Sequence, residues 1–302
     1  MCGICGIVAP PGAVAPVEIV QRMVRALAHR GPDEQATHTA GRVAVGHTRL
    51  SIIDLAASKQ PMVDDQRGMV LVFNGEIYNY KELREELRAS GHVFTTAGDT
   101  EVVLRAYQVF GADCVTRLQG MFAFVIVSEE GRRIFAARDR LGIKPLFYAL
   151  GDDGRFSFAS ELSALFEDAS LSRVMDREAF AYFFTFGYCP DPLTLVAAAR
   201  QLPPAHVLSI RDGRGAMRRY WSFVIGGRGG GRRRGEATAR FRDLVEEAVR
   251  AHLVADVPVG SFLSSGLDSS LVTTLAARAA GQPIRTFTVG VRSEEGDERP
   301  FA

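Results

Sequence analysis

Apolar and polar positions alternate along this chain in two different styles. In the stretch 17–29, Val20, Val24 and Leu27 recur at helical spacing behind Pro16, which predicts a helix. Short apolar runs at 4–8, 43–53, 69–73, 122–127, 133–137 and 156–159 read as strands. Helices are predicted over 80–90, with Leu83 and Leu87 on one face and Gly91 closing the end, and over 99–110, with Val103, Leu104 and Tyr107 inward. Strands in adjacent runs, separated by pairs of helices, argue an α+β architecture with largely antiparallel pairing. The style then changes. An amphipathic helix over 236–253 presents Phe241, Leu244, Val245 and Val249; a strand over 258–263, a Ser/Gly loop, a helix over 269–280 closed by Gly281 and a strand over 284–291 follow. That order is one βαβ unit of a parallel sheet. Between the two styles, residues 226–235 read GGRGGGRRRG, a flexible and solvated linker.

A length of 302 residues fits about two domains on the prior of ~150 residues each. Hydrophobic content of 47% with 24% charged residues is that of a globular enzyme, and the net charge of +1 points to neither nucleic acid nor membrane. The arginines of the linker have no aromatic residues beside them for base stacking. The first residues lack the basic start of a signal peptide, and Pro10, Pro11 and Pro16 interrupt any apolar stretch. No run approaches the ~18 apolar residues of a membrane span. Four cysteines do not make a disulfide framework in a chain of this size, so a cytoplasmic location is expected. Cys2 and Cys5 are spaced as C-x-x-C, but Cys114 and Cys189 are single and no histidine pairs complete a zinc site, so no metal is expected. Cys5 reads as a small buried hydrophobe. His29, His47 and His92 have no evident catalytic partner and read as structural.

Cys2 carries the most pointed chemistry. Once Met1 is removed, a thiol and a free α-amine sit on one residue, a nucleophile with its own base. An amine titrating near ~7.7–8.0 beside a thiol near ~8.5 is partly neutral at pH 7 and able to take the thiol proton. The plainer reading is a disordered-end residue. Further on, the turn SSGLDSS between strand and helix is a phosphate-binding device, because backbone N–H groups and the helix dipole point at an anion there.

Several segments together resemble one family: MCGICGIV at the start, HRGPD at 29–33, HTRLSIID at 47–54, FNGEIYN at 73–79, GDTE at 98–101, RDRLGIKPLFY at 138–148 and the late SSGLDSS. The chain resembles the glutamine-hydrolysing asparagine synthetases of the bacterial B type, which join a class II glutamine amidotransferase domain to a pyrophosphate-releasing ATP domain. The resemblance implies an α+β N-terminal-nucleophile αββα sandwich over 1–210, a linker over 211–235, and the beginning of a Rossmann-like α/β ATP-pyrophosphatase domain over 236–302. It implies that Cys2 attacks the side-chain amide of glutamine, with its α-amine as base and then as proton donor to the leaving ammonia. Asn74 and the Gly75 N–H would form the oxyanion hole, since negative charge appears on the amide oxygen in the tetrahedral intermediate. Arg49 would clamp the substrate carboxylate with its planar fork. Asp99 would hold the substrate ammonium, and Leu50, Ile52 and Glu76 would line the pocket.

Plainer readings stand beside these at the level of the residues alone. Asp99 suits the N-cap of its helix, Arg49 suits a surface strand, and Asn74-Gly75 is the commonest hairpin-turn signal. For ATP, with Mg²⁺ and no organic prosthetic group, the resemblance implies Leu263, Ser264, Ser265, Gly266, Asp268, Ser269 and Val289. The family loop reads S-G-G-x-D-S, and Ser265 replaces a glycine; a Cβ there crowds the phosphates or resists a positive φ. The family continues well beyond position 302, so the second domain is expected to be incomplete, to make no asparagine by itself and to be the least stable part. The implied partners are glutamine, with aspartate and ATP for the whole family reaction, and the resemblance allows a homodimer. The alternatives are an amidotransferase of a β-lactam-type or peptide-modifying synthetase, or an inactive remnant.

Overall fold

The computed structural model describes residues 1–224, 234–290 and 297–299. The chain divides into two compact units, Met1–Phe223 and Val224–Ala302.

The first unit runs β1 (Gly3–Val8), α1 (Val17–Ala26), β2 (Glu34–Ala40), β3 (Val43–Arg49), β4 (Met62–Asp64), β5 (Met69–Ile77), α2 (Tyr80–Ala89), α3 (Asp99–Phe110) and α4 (Cys114–Arg117). It continues with β6 (Gly120–Ser128), β7 (Arg133–Arg138), β8 (Phe147–Leu150), β9 (Phe156–Ala159), α5 (Leu162–Leu165), α6 (Arg177–Phe186), β10 (Arg200–Gln201), β11 (His206–Arg211) and β12 (Arg214–Arg219). The strands form two six-stranded sheets, ordered β10-β8-β9-β1-β3-β2 and β12-β11-β7-β6-β5-β4. Every pairing within them is antiparallel.

Side-chain alternation along each strand explains why the sheets stack. Ile4 and Val8 of β1, Val43 and Val45 of β3, and Phe156 and Phe158 of β9 pack with Val70, Val72, Val125 and Ile134 of the other sheet in one buried cluster. The opposite face of β1 and β3, with Cys5, Ile7 and Ala44, packs on Val20, Met23 and Val24 of α1 and on Leu27 just past its end. Gly46 permits that approach: a Cβ there would lie 2.3 Å from Val24 Cγ2. On the second sheet, Leu71 and Phe73 are buried on the opposite face from Val70 and Val72, as are Val102, Val103 and Leu104 of α3. The result is an αββα sandwich.

Several boundaries differ from the sequence reading. The strand expected over 43–53 stops at Arg49, where the chain enters a loop with Asp54 at φ 49°. The strand expected over 69–73 runs on to Ile77, carrying Asn74-Gly75 inside it. The polar segment of β2, EQATHTA, pairs along its whole length with β3 although no apolar alternation announces it. The expected linker from 211 to 235 is partly strand. β11 and β12 form a hairpin, turned by Asp212 (φ 49°) and Gly213 (φ 78°), which is the left-handed pair a tight two-residue turn requires. Residues 225–233 of that linker lie outside the described residues.

The second unit contains α7 (Arg234–Ala251), β13 (Gly260–Phe262), α8 (Leu267–Ala280) and β14 (Arg285–Phe287). β13 and β14 pair in parallel, as a βαβ unit demands. α8 starts earlier than the expected 269, with Gly266 as N-cap, and Gly281 ends it in the left-handed conformation. Val291, the expected end of the last strand, lies outside the described residues. Among the described residues no helix is long and apolar enough to cross a membrane.

Candidate active site

The alternation that builds the core also builds the site. Following the inward positions of β1 back from Val8 and Ile4 leads to Cys2. On β3 the series Val43, Val45 continues with His47 and Arg49; on β5 the series Val70, Val72 continues with Asn74 and Glu76. The apolar members fill the space between the sheets. Polar members beyond them close around a cavity of about 200 Å³, whose walls include Cys2, Arg49, Asn74, Glu76, Asp99 and Lys144.

The Cys2 thiol is half-enclosed. The Leu50 N–H donates to its sulfur at 3.4 Å, and the thiol faces the Leu50 carbonyl at 3.6 Å. Arg30 Nε donates to the Cys2 carbonyl at 3.0 Å, and Arg30 is itself held by Glu161 at 2.8 Å. Glu161 also meets His29 at 3.0 Å. Burial pushes the thiol pKa up, opposed by the Leu50 N–H. Burial lowers the pKa of the Met1 α-amine next to it, and the charges of Arg30 and Lys144 lower it further. Met1 lies at the cavity wall.

Asn74-Gly75 is not a turn. It lies in mid-strand, where Asn74 pairs with Ala123 and Gly75 with Phe122 of β6. A Cβ on Gly75 would sit 2.3 Å from the Met121 carbonyl, so only glycine fits. β4 begins only at Met62, opposite Leu71, and past Leu71 the edge of β5 has no strand partner on that side among the described residues. The Gln60 side chain stands in for one: it accepts from the Phe73 N–H at 2.6 Å and donates to the Phe73 carbonyl at 3.0 Å. His47 Nε2 meets the same carbonyl at 3.1 Å, and burial holds His47 neutral by lowering its pKa to about 4. Two residues on from Gly75, the Ile77 N–H turns to Asp99 at 3.0 Å, again away from β6. By the two-residue period of a strand, the Gly75 N–H also points out of the ladder, toward the side that β4 has vacated. Asn74 is buried, and its Nδ2 has no acceptor among the described residues. An unsatisfied buried donor costs about 1–3 kcal/mol.

Arg49 is buried rather than a surface arginine. It donates to the carbonyls of Leu55 at 3.0 Å and Asp54 at 2.7 Å and meets Glu34 at 3.6 Å, so it also ties down the loop carrying Leu50 and Ile52. Asp99 is not the N-cap; Gly98 is, and Asp99 opens the helix with its carboxylate on Ile77. Burial and the neighbouring Glu76 push the Asp99 carboxyl up to about 7. Glu76 and Asp99 thus place two acidic groups on one wall, with Arg49 also lining the cavity.

Three site residues were missed from sequence. Arg30 and Lys144 lie within quoted segments, HRGPD and RDRLGIKPLFY, yet a lone basic residue in a loop carries no pattern. Gln60, before Pro61, gives no signal that its amide will complete a sheet edge.

Leu263, Ser264, Ser265, Gly266, Asp268, Ser269 and Val289 lie in the second unit, around the β13–α8 loop. The loop is stitched internally. Ser264 N–H donates to Ser269 Oγ at 3.1 Å, and Gly266 N–H to Ser264 Oγ at 3.2 Å. Leu263 N–H donates to the Phe287 carbonyl at 2.9 Å. Ser265 and Asp268 are exposed, as is Val289. Ser265 is not among the positive-φ residues, so its Cβ meets no backbone objection.

Comparison with known proteins agrees with both units. A family profile described as glutamine amidotransferase domain matches residues 1–221, and one described as asparagine synthase matches residues 240–302. The chain is 36% identical over 316 residues to asparagine synthetase [glutamine-hydrolyzing] 3 of Bacillus subtilis, covering 99% of this chain and 49% of the relative. It is 39% identical over 320 residues to a putative asparagine synthetase [glutamine-hydrolyzing] of Mycobacterium tuberculosis, covering 97% and 48%. The chain spans about half the length of these curated relatives. Among solved structures, the glutamine phosphoribosylpyrophosphate amidotransferase of B. subtilis superposes with a TM-score of 0.52 at 20% identity, over 96% of this chain and 67% of that one. That likeness concerns the fold.

Proposed function

The chain belongs to the glutamine amidotransferase family, and on that footing we propose that it releases ammonia from the side-chain amide of glutamine at Cys2. Met1 is removed, leaving thiol and amine on one residue. The amine takes the thiol proton as sulfur attacks the amide carbon. The oxygen gains negative charge and is met by Asn74 Nδ2 and the Gly75 N–H. Collapse of the intermediate expels ammonia, protonated from the same amine, and water then hydrolyses the thioester to glutamate. Arg49 receives the substrate carboxylate, and Asp99 with Glu76 its ammonium.

The observation that carries this reading is the buried Asn74 Nδ2, which points at no acceptor and shares a wall with Cys2. A donor kept idle in the resting protein suits an acceptor that arrives with the reaction. Asn74→Ala should lower the kcat of glutamine hydrolysis by about 10²–10³. The electrophile 6-diazo-5-oxonorleucine should label Cys2, with Cys5 untouched, on protein whose intact mass lacks Met1. Near-wild-type turnover by a folded Asn74→Ala protein, or label on Cys5, removes the assignment.

For the whole protein, we read the ammonia as directed to aspartate activated by ATP with Mg²⁺, giving asparagine, AMP and pyrophosphate. Ser264, Ser265, Gly266, Asp268 and Ser269 would face the phosphates, with Leu263 and Val289 beside the nucleotide. The N-terminus of α8 supplies the dipole such a loop uses.

A further inference from the structure

The segment RDRLGIK, at 138–144, has no part in the reaction above, yet it is among the most firmly held stretches of the first unit. Its backbone winds around the Asp139 carboxylate, which accepts from the N–H groups of Leu141 at 3.1 Å, Ile143 at 2.9 Å, Lys144 at 3.0 Å and Phe122 at 3.2 Å. Arg138 grips the same turn from the other side, donating to the carbonyls of Lys144 at 2.9 Å, Gly142 at 2.8 Å and Leu202 at 2.6 Å. Asp139 is 1% exposed and Arg138 5%. Fixing a loop with two buried charges is warranted when the loop must present something accurately. What it presents is Lys144, whose side chain enters the cavity wall shared with Cys2 and Glu76 and is 7% exposed.

We propose that Lys144 is the cation that sets the proton balance of Cys2, keeping its α-amine neutral and its thiol easier to ionise at physiological pH. The proposal rests on the reading of Cys2 as the nucleophile and adds the group that tunes it. A positive charge beside an amine disfavours the ammonium, and beside a thiol it favours the thiolate; both pKa values fall. The amine must be neutral to accept the thiol proton. When it does, the S–H bond breaks, the N–H bond forms, and the sulfur electron pair goes to the amide carbon while the C=O pair moves to oxygen. At the thiol, Asp99 opposes Lys144. At the Met1 amine, the N-terminus before Met1 is removed, Arg30 acts with Lys144 and Asp33 against it. Glu76 and Asp139 favour the Lys144 ammonium itself. Burial lowers the pKa of the Lys144 ammonium, and the facing Glu76 and Cys2 oppose that shift.

The test is the pH dependence of kcat/KM for glutamine hydrolysis in wild type, K144M and K144R. Both limbs of the K144M profile should move to higher pH by about one unit, so that activity at pH 7 falls roughly tenfold while KM changes little. K144R, which keeps the charge, should retain the wild-type limbs. The Cys2 alkylation rate with iodoacetamide, followed by peptide mass, should show the same upward shift in K144M without any turnover. If K144M melts early, K144Q replaces it. Unmoved limbs in K144M, or a loss confined to KM, overturn the proposal. Wild-type protein whose Cys2 takes no 6-diazo-5-oxonorleucine label overturns the reading beneath it instead.

Discussion

Phe156 and Phe158 of the sandwich stack 5.7 Å apart and are fully buried. Phe262 and Phe287 of the second unit lie 6.3 Å apart on paired strands and are 78% and 56% exposed. The local chemistry is alike; closure differs. In the sandwich, a facing sheet or helix covers each inward strand position. Among the described residues of the second unit, the buried apolar cluster consists of Val249, Leu275 and Ala276, with Val245, Leu253 and Ile284 packed against it. Polar groups follow suit. The closed frame holds Asn74 Nδ2 without an acceptor, whereas the loop of the second unit lets Ser264, Ser269 and Ser270 find partners nearby. Idle donors need a frame that denies them local relief.

The largest effect should separate the units by chemistry. Cys2→Ala should abolish glutamine hydrolysis, by on the order of 10⁴ or more, because the proposed nucleophile has no substitute. The circular dichroism of both units should be unchanged; residual turnover near wild type would move the reaction elsewhere. Next comes the matched pair of phenylalanines. Phe158→Ala should cost about 3–5 kcal/mol in urea unfolding of the first unit. Phe262→Ala should stay within about 0.5 kcal/mol for the second. Equal losses would mean that β13 is covered in solution.

The third prediction uses the buried ionisable groups that only a closed frame produces. Asp99, held at about 7 against an ordinary 3.8, binds a proton in the folded state that the unfolded chain has lost, so its stabilising share is present at low pH and fades as pH rises toward about 7. His47, held at about 4 against 6.5, does the opposite: its share grows with pH between about 4 and 6.5. The two slopes oppose each other in wild type. Asp99→Asn should therefore leave unit 1 gaining stability with pH across that window, as urea midpoints would show. A wild-type-like profile in the variant would show that Asp99 does not titrate there. The smallest effect is expected at Ser265→Gly, where an exposed side chain at negative φ leaves little to lose, under about 0.5 kcal/mol in the second unit. A larger loss would show that the loop leans on that hydroxyl.

Much of the first unit was legible because burial on alternate positions writes itself into the sequence. The helices around Val20 and Val24 and around Val103 and Leu104, and the strand at Phe156–Ala159, need no tertiary information. Cys2 was legible for a different reason, since its position alone confers chemistry. The rest depended on neighbours. Asn74-Gly75 has the local preference of a turn, and only the close pass of Met121 and Phe122 forces it straight. EQATHTA has no apolar period because neither face of β2 is buried; its residues are half-buried or exposed throughout. Lys144 is silent in sequence because what matters is the side chain's destination, set by hydrogen bonds to Asp139 and Arg138.

The end of β4 gives the site an address that no catalytic residue supplies. Pro61 has no N–H to give a neighbouring strand, and Gln60 finishes the edge with a side chain. Beyond that point β5 is a sheet margin left unzipped over a few peptides, and the Gly75 N–H proposed as an oxyanion donor belongs to one of them. An insertion that let the preceding chain continue alongside residues 73–77 would knit the margin shut, with every catalytic side chain still present. On this view the enzyme keeps its activity by where a strand stops, and drift in loop length before residue 62 is as dangerous to it as loss of the cysteine.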